Sequence, residues 1–152
     1  MERSVATYED AQLVLKLYEL RREEKLRAAR DWFISKFSPA SIDDVKAVST
    51  SGGTEYAYYR MVTTYWDMAA SCVVRGVLNA DLFLDSGGEM IVVWTKLEAL
   101  VPTIREAMAA PNFLVNVEKL IAGSANAQER VQLFRQRLAA QRQRSAAGAA
   151  KS

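Results

Sequence analysis

Three charged residues stand in apolar stretches of this sequence, and a charge in such surroundings needs a partner. Asp67 follows Trp66 and precedes Met68-Ala69-Ala70, Arg105 shares a helical pattern with Trp94, Leu97 and Val101, and Glu118 lies between Val117 and Leu120. A buried charge persists only when it is paired and hydrogen-bonded. Arg105 is therefore expected to be shared by one or both carboxylates, its planar fork serving two acceptors at once. Such a cluster either anchors a small ligand or forms a structural ion network that fixes helix register. The second is the plainer reading, because structural networks perturb charges as functional sites do.

Other arrangements offer less. Asp81, Asp85 and Glu89 recur every four residues beside Gly87-Gly88, and oxygen ligands of this kind suit Mg²⁺ or Ca²⁺. The run departs from calcium-loop spacing, however, and Glu89 is accounted for as a helix-capping residue, so no metal or cofactor is assigned. The Gly-Gly pairs at 52–53 and 87–88 lack the lysine and spacing of a phosphate loop. The chain contains no histidine and a single cysteine, Cys72. That removes the commonest general base and metal ligand, and it excludes an intramolecular disulfide or a Cys-rich zinc site. Cys72 falls on an apolar helix face as a core thiol. Glu19 and Glu23 belong to a charged helix surface, where solvated ion pairing explains them. No catalytic residue is assigned, and a non-enzymatic protein is expected.

The elements that would position these residues are helices. A chain of 152 residues, half of them hydrophobic and a quarter charged, has the composition of one soluble domain with a substantial core. Thr7 and Asp10 predict a helix N-terminus and a long first helix reaching about Phe37, ended by Ser38-Pro39. A short helix over 41–48 and a longer one over 55–74 follow, and Asn79 caps a short turn through Leu82 and Leu84. Ser86-Gly-Gly-Glu89 has capping-box spacing and predicts a helix running to about Met108, kinked at Pro102. Pro111 predicts a helix to Ile121 stopped by Gly123, and a last helix spans 126–144. In helix 55–74, Tyr58, Val62, Tyr65, Ala69 and Cys72 share one face. The expected architecture is all-α: a single-domain helical bundle over 1–144, with one long N-terminal helix, five to six further helices and a disordered tail at 145–152.

Two surfaces stand out. In the first helix, Leu15, Tyr18, Leu26, Ala29, Phe33 and Phe37 form one continuous stripe at 100° per residue, while Leu13, Leu17 and Leu20 lie on nearly the opposite side. The first stripe is expected to face the core. The second needs another cover, either a later helix of the same chain, which is usual in bundles, or a protein partner or second subunit. At the other end, residues 123–152 carry six basic side chains against one acid, Glu129, whereas residues 31–122 hold seven basic and eleven acidic groups. Arg130, Arg135, Arg137, Arg142 and Arg144 surround an apolar stripe of Val131, Phe134 and Leu138. Such a helix can dock on its own domain, lie on an anionic membrane or touch nucleic-acid phosphates, and solvated surface charge is the plainer explanation. No secretory signal and no transmembrane segment is evident, so a cytoplasmic location is expected.

Tyr65-Trp66-Asp67, Gly76-Val-Leu-Asn79 with Leu82, Trp94, Arg105 and Asn116-Val-Glu118-Lys-Leu120 resemble a bacterial all-helical family known as a domain of unknown function. The resemblance covers about residues 65–120. It implies no activity, and it implies that Asp67, Arg105 and Glu118 belong to a shared structural core. Some members carry an N-terminal membrane segment ahead of the domain, and none is expected here. The leading functional expectation is a helical interaction or scaffold module, homodimeric through the first helix. The alternatives are peripheral binding of nucleic acid or anionic lipid by the basic C-terminal helix, and a small-molecule pocket around Arg105.

Overall fold

The computed structural model describes residues 5–151 and, among them, consists of helices with no strand. In chain order these are α1 (Tyr8–Arg21), α2 (Glu24–Ser35), α3 (Ile42–Thr50), α4 (Thr54–Val74), α5 (Ala80–Ser86), α6 (Gly88–Leu97), α7 (Val101–Ala107), α8 (Val115–Ala122) and α9 (Ala125–Ala150). α4 is the central element. It is flanked by α2, α3 and α8, while α6 and α8 carry α9 and α1 packs on α5.

The long first helix expected from the sequence is two helices. Five consecutive charged residues at 21–25 offer no apolar side chain to hold a continuous helix against the core. Glu23 takes an extended ψ of 139° and its carboxylate accepts the Leu26 N–H at 2.9 Å. That bond caps α2 and holds the Glu23 carboxyl below its ordinary range. Breaking the helix changes which residues face inward. Leu26, Ala29, Phe33 and Phe37 are buried as expected, but Leu15 and Tyr18 are exposed and Leu17 is buried instead. At the start of α1, Thr7 and Asp10 form the reciprocal capping box, with Thr7 N–H donating to Asp10 Oδ2 at 2.7 Å. Asp10 is itself buried, and its Oδ1 accepts the Asn79 N–H at 3.0 Å. Asn79 in turn caps α5 through the Leu82 N–H at 2.9 Å. One carboxylate thus ties the first turn of α1 to the start of α5.

Four further boundaries differ from expectation. Ser86 ends α5 rather than capping α6, because Glu89 turns to other partners and the chain reverses at Gly87. A Cβ at Gly87 would stand 2.9 Å from the Phe83 carbonyl oxygen, so the chain leaving the last turn of α5 requires glycine there. The helix after Glu89 breaks at Glu98–Leu100, ahead of Pro102, which sits in the first turn of α7 where its missing N–H costs nothing. Pro111 does not open α8: the chain turns through residues 111–114 with Leu114 at φ 52°, and α8 begins at Val115. At the far end, Ser124 caps α9 through the Ala127 N–H at 3.1 Å. α9 continues past Arg144 to Ala150, and every residue from 139 to 151 is exposed. Ser145–Ala150, where a tail was expected, is the end of that helix, while Ser152 lies outside the described residues.

The core is one cluster centred on Trp66, Phe33, Phe83, Leu78, Leu84 and Met90. Rings of α2 and α4 interlock around Phe37, which lies 4.9 Å from Trp32 and 5.7 Å edge-on from Tyr59.

Candidate functional site

Arg105 and Glu118 meet, and Asp67 does not join them. Arg105 Nη2 lies 2.6 Å from Glu118 Oε2, and Arg105 Nε donates to the Phe113 carbonyl at 3.0 Å. Glu118 is 45% exposed and Arg105 23%, so this is a half-solvated pair and not a buried charge. It closes the turn between α7 and α8, whose residues Ala109 and Leu114 both hold positive φ.

Asp67 does different work. Its Oδ1 accepts the backbone N–H groups of Asn116 at 2.9 Å and Val117 at 3.1 Å, and Oδ2 accepts Asn116 Nδ2 at 2.9 Å. These donors belong to the first turn of α8. The residue that would ordinarily cap them, Leu114, is left-handed and has no side-chain acceptor. A carboxylate from the middle of α4 therefore caps α8 in trans, where the positive end of the helix favours a negative charge. The expected triad is thus two devices acting on the same segment.

The most connected polar cluster was not singled out in the sequence. Arg30 of α2 and Glu89 of α6 form a fork, with Nε–Oε1 2.9 Å, Nε–Oε2 3.1 Å and Nη2–Oε2 2.9 Å. Arg30 Nη1 also donates to the Arg21 carbonyl at 3.0 Å, and Trp66 Nε1 lies 3.3 Å from Glu89 Oε1. The hydrogen-bonded Glu89 carboxylate holds the Arg30 guanidinium above its ordinary range. Beside it, the buried Arg21 lies 5.1 Å from the Trp66 ring and 5.4 Å from the Tyr18 ring. Tyr65 Oη donates to the Leu17 carbonyl at 2.6 Å, and burial pushes its phenol upward against the opposing pull of Arg21. This cluster binds α1, α2, α4 and α6 at the point where the first helix breaks. In the sequence Glu89 has the spacing of a local cap, and Arg30, on the flank of the α2 stripe, is indistinguishable from a surface charge.

Lys96 was missed for the same reason. Its ammonium donates to the carbonyls of Phe33 (2.9 Å), Ile34 (2.9 Å) and Phe37 (2.7 Å), closing the C-terminal end of α2. Burial pulls its pKa down, while the three carbonyls favour the protonated form. Among the described residues no group of three His, Cys, Asp or Glu side chains is placed to hold a metal ion. Glu89 is engaged by Arg30, and Asp81 and Asp85 are exposed. Cys72 is half-buried against the core.

The two surface candidates divide as follows. Leu17 is 3% exposed and enclosed by its own chain, Leu13 packs half-buried on the core, and Leu20 is 41% exposed. On the outer side of α1, Tyr8 (74% exposed), Leu15 (66%) and Tyr18 (51%) fall within about 80° of one another at about 100° per residue, and Val5, ahead of the helix, is exposed as well. In α9, Ala127 and Val131 are buried and Phe134 packs on the core. Arg135 forms a two-pronged pair with Glu98, both contacts 2.6 Å, and Arg130 donates to the Leu84 carbonyl and to Asn126. Arg137, Arg142 and Arg144 have no carboxylate partner among the described residues. Open grooves of about 460 and 510 Å³ run between α9, α6 and the α2–α3 turn, sharing Ser38, Pro39, Lys96, Leu138 and Arg142.

Helix ends tied by side chains from distant helices characterise this all-helical domain. The chain belongs to the DUF4760 family, a domain of unknown function whose family model matches residues 6–124. That match spans α1 to α8 and stops where α9 begins. No curated protein and no solved structure matches the chain. Among the described residues, no helix is long and apolar enough to cross a membrane.

Proposed function

We propose that this chain is a non-enzymatic helical interaction module that pairs with a second copy of itself through the outer face of α1. The observation that carries the reading is the line of Tyr8, Leu15 and Tyr18. Of the nine exposed large hydrophobic side chains among the described residues, five lie between Val5 and Leu20, a concentration that scattered surface residues do not produce. The 8/11/15/18 spacing is that of a helix–helix seam. It is also self-complementary. On a two-fold axis with the helices antiparallel, Tyr8 faces Tyr18 of the other copy, and Ala11 faces its Leu15. A cytoplasmic location belongs to the same reading.

The seam is only about 15 Å long from Tyr8 to Tyr18, at about 1.5 Å per residue. That is small beside the roughly 800 Å² per partner of a stable interface, so pairing is expected in the micromolar range. Solution mass by light scattering at about 100 µM, well above such a dissociation constant, tests it. The expected result is a dimer that becomes a folded monomer when Leu15 and Tyr18 are both replaced by serine. A monomeric wild type at that concentration, or a dimer unaffected by the double replacement, overturns the reading. Leu17→Ser is the contrast: it faces the core and should unfold the domain without revealing an interface.

A further inference from the structure

The outer half of α9 has a surface organised differently from the rest of the molecule. At 100° per residue, Gln132, Gln136, Ala139, Gln143, Ala146 and Ala150 fall within about 40° of one line, and all are exposed. Arg137, Arg144 and Lys151 lie along one flank at seven-residue intervals, about 10 Å apart, and Arg135 and Arg142 lie along the other. After Glu129 the chain has no acidic residue. Arg135 is occupied by Glu98, leaving Arg137, Arg142, Arg144 and Lys151 without carboxylate partners among the described residues.

We propose that the projecting part of α9 is a duplex-DNA-binding helix that lies in the major groove. Three features point to this partner. Every residue from 139 to 151 is exposed, along about 20 Å of helix whose diameter of about 10–12 Å matches a groove about 12 Å wide, and on the side toward the domain Ala139, Gln141, Arg142 and Ser145 border open grooves. Its cations are on opposite flanks, where the two phosphate walls would stand, and the line between them carries only alanine and glutamine. Such side chains allow close approach to base edges, and glutamine can pair with adenine. A membrane surface fits poorly, because an interfacial helix needs a bulky apolar face and residues 139–151 contain no apolar side chain larger than alanine. Double-stranded RNA fits poorly as well, its major groove being too narrow for side chains to read.

The test is fluorescence anisotropy of the full chain with a labelled DNA duplex of about 20 base pairs in a salt series. Four phosphate contacts predict a log–log salt slope of roughly −3.6, a loss of about 150-fold in affinity between about 50 and about 200 mM salt. The triple substitution Arg137→Gln, Arg142→Gln, Arg144→Gln keeps good helix formers at exposed positions, so its circular dichroism should match wild type. It should cut affinity at low salt and reduce the loss over the same range to roughly threefold, the slope of one remaining contact. No duplex binding at low salt, or a triple variant with an unchanged slope, overturns the proposal. Equal binding of an RNA duplex rules out groove insertion. Stronger binding to phosphatidylglycerol vesicles than to DNA assigns the surface to lipid and overturns it too.

Discussion

Replacing Asp67 by alanine removes the side-chain cap on the N-terminal end of α8, and the cost can be worked from its contacts. Two backbone N–H groups, of Asn116 and Val117, lose the same carboxylate oxygen, and the Asn116 amide loses the other. A hydrogen bond to a charged group contributes about 1.5–3 kcal/mol net when sequestered, and loss of an N-cap costs about 0.5–2 kcal/mol. Here Asp67 borders an open cleft of about 240 Å³ lined by Thr63, Met68, Asn112 and Phe113, so water can reach the freed donors. The expected destabilisation is therefore about 2 kcal/mol, below the sum of three bonds, and equivalent to a fall of about 4–8 °C in Tm for a chain of this size. Asp67→Asn keeps an acceptor at Oδ1 for both backbone donors but presents an amide where Oδ2 met another amide, and should cost about half as much. Urea unfolding followed by circular dichroism measures both, with the midpoint shifting and the slope unchanged. Native-state hydrogen exchange should show the Asn116 and Val117 amides losing protection before the rest of α8. An Asp67→Ala variant within about 0.5 kcal/mol of wild type, the scatter of ordinary surface changes, would refute capping in trans.

Two further outcomes follow from the same geometry. Glu89→Gln leaves Arg30 without its counter-charge at side chains only 25% and 20% exposed, so unfolding free energy should fall by about 2 kcal/mol, less than the roughly 3–5 kcal/mol of a fully buried pair; replacing both residues with apolar ones of similar size, Arg30→Met with Glu89→Leu, should recover most of that loss in the same urea assay. Tyr59 is buried and its hydroxyl has no hydrogen-bond partner among the described residues, so Tyr59→Phe should be neutral or stabilising by up to about 1 kcal/mol at neutral pH. Burial also raises the Tyr59 and Tyr65 phenols above the ordinary value of 10.0. Their protonated forms favour the fold, and that stability is present in full below pH 10 and lost as the pH rises through the folded-state values. Tyr59→Phe should make the alkaline loss of stability shallower, and an unchanged pH profile would count against burial as its cause.

Helix content, most helix starts and the all-α class were legible in the sequence because local signals set them. Thr7 with Asp10 and Asn79 act within four residues of themselves, and their caps form where the spacing places them. The burial of Val62, Tyr65 and Ala69 follows equally from the periodicity of α4. Other departures came from longer range. Glu89 has the spacing of a local cap, yet Arg30, 59 residues away, offers it a two-pronged charged contact that a local turn cannot match. Arg105 found Glu118, as charge pairing predicts, but Asp67 found backbone donors, which have no sequence identity and so leave no trace in a residue pattern.

By itself the sequence determined the alternation of helices and breaks, the apolar face of most elements, the absence of histidine and the basic run after Glu129. The tertiary structure alone decided which leucines of α1 are enclosed and which are offered to solvent. It also decided that Asp67 caps a helix and that Arg30, Trp66 and Glu89 meet. The reason is the range of the forces involved. Capping and periodicity are settled within one or two turns of chain, whereas the choice between two faces of a short amphipathic helix, or between two partners for one carboxylate, depends on what distant segments bring within about 3 Å.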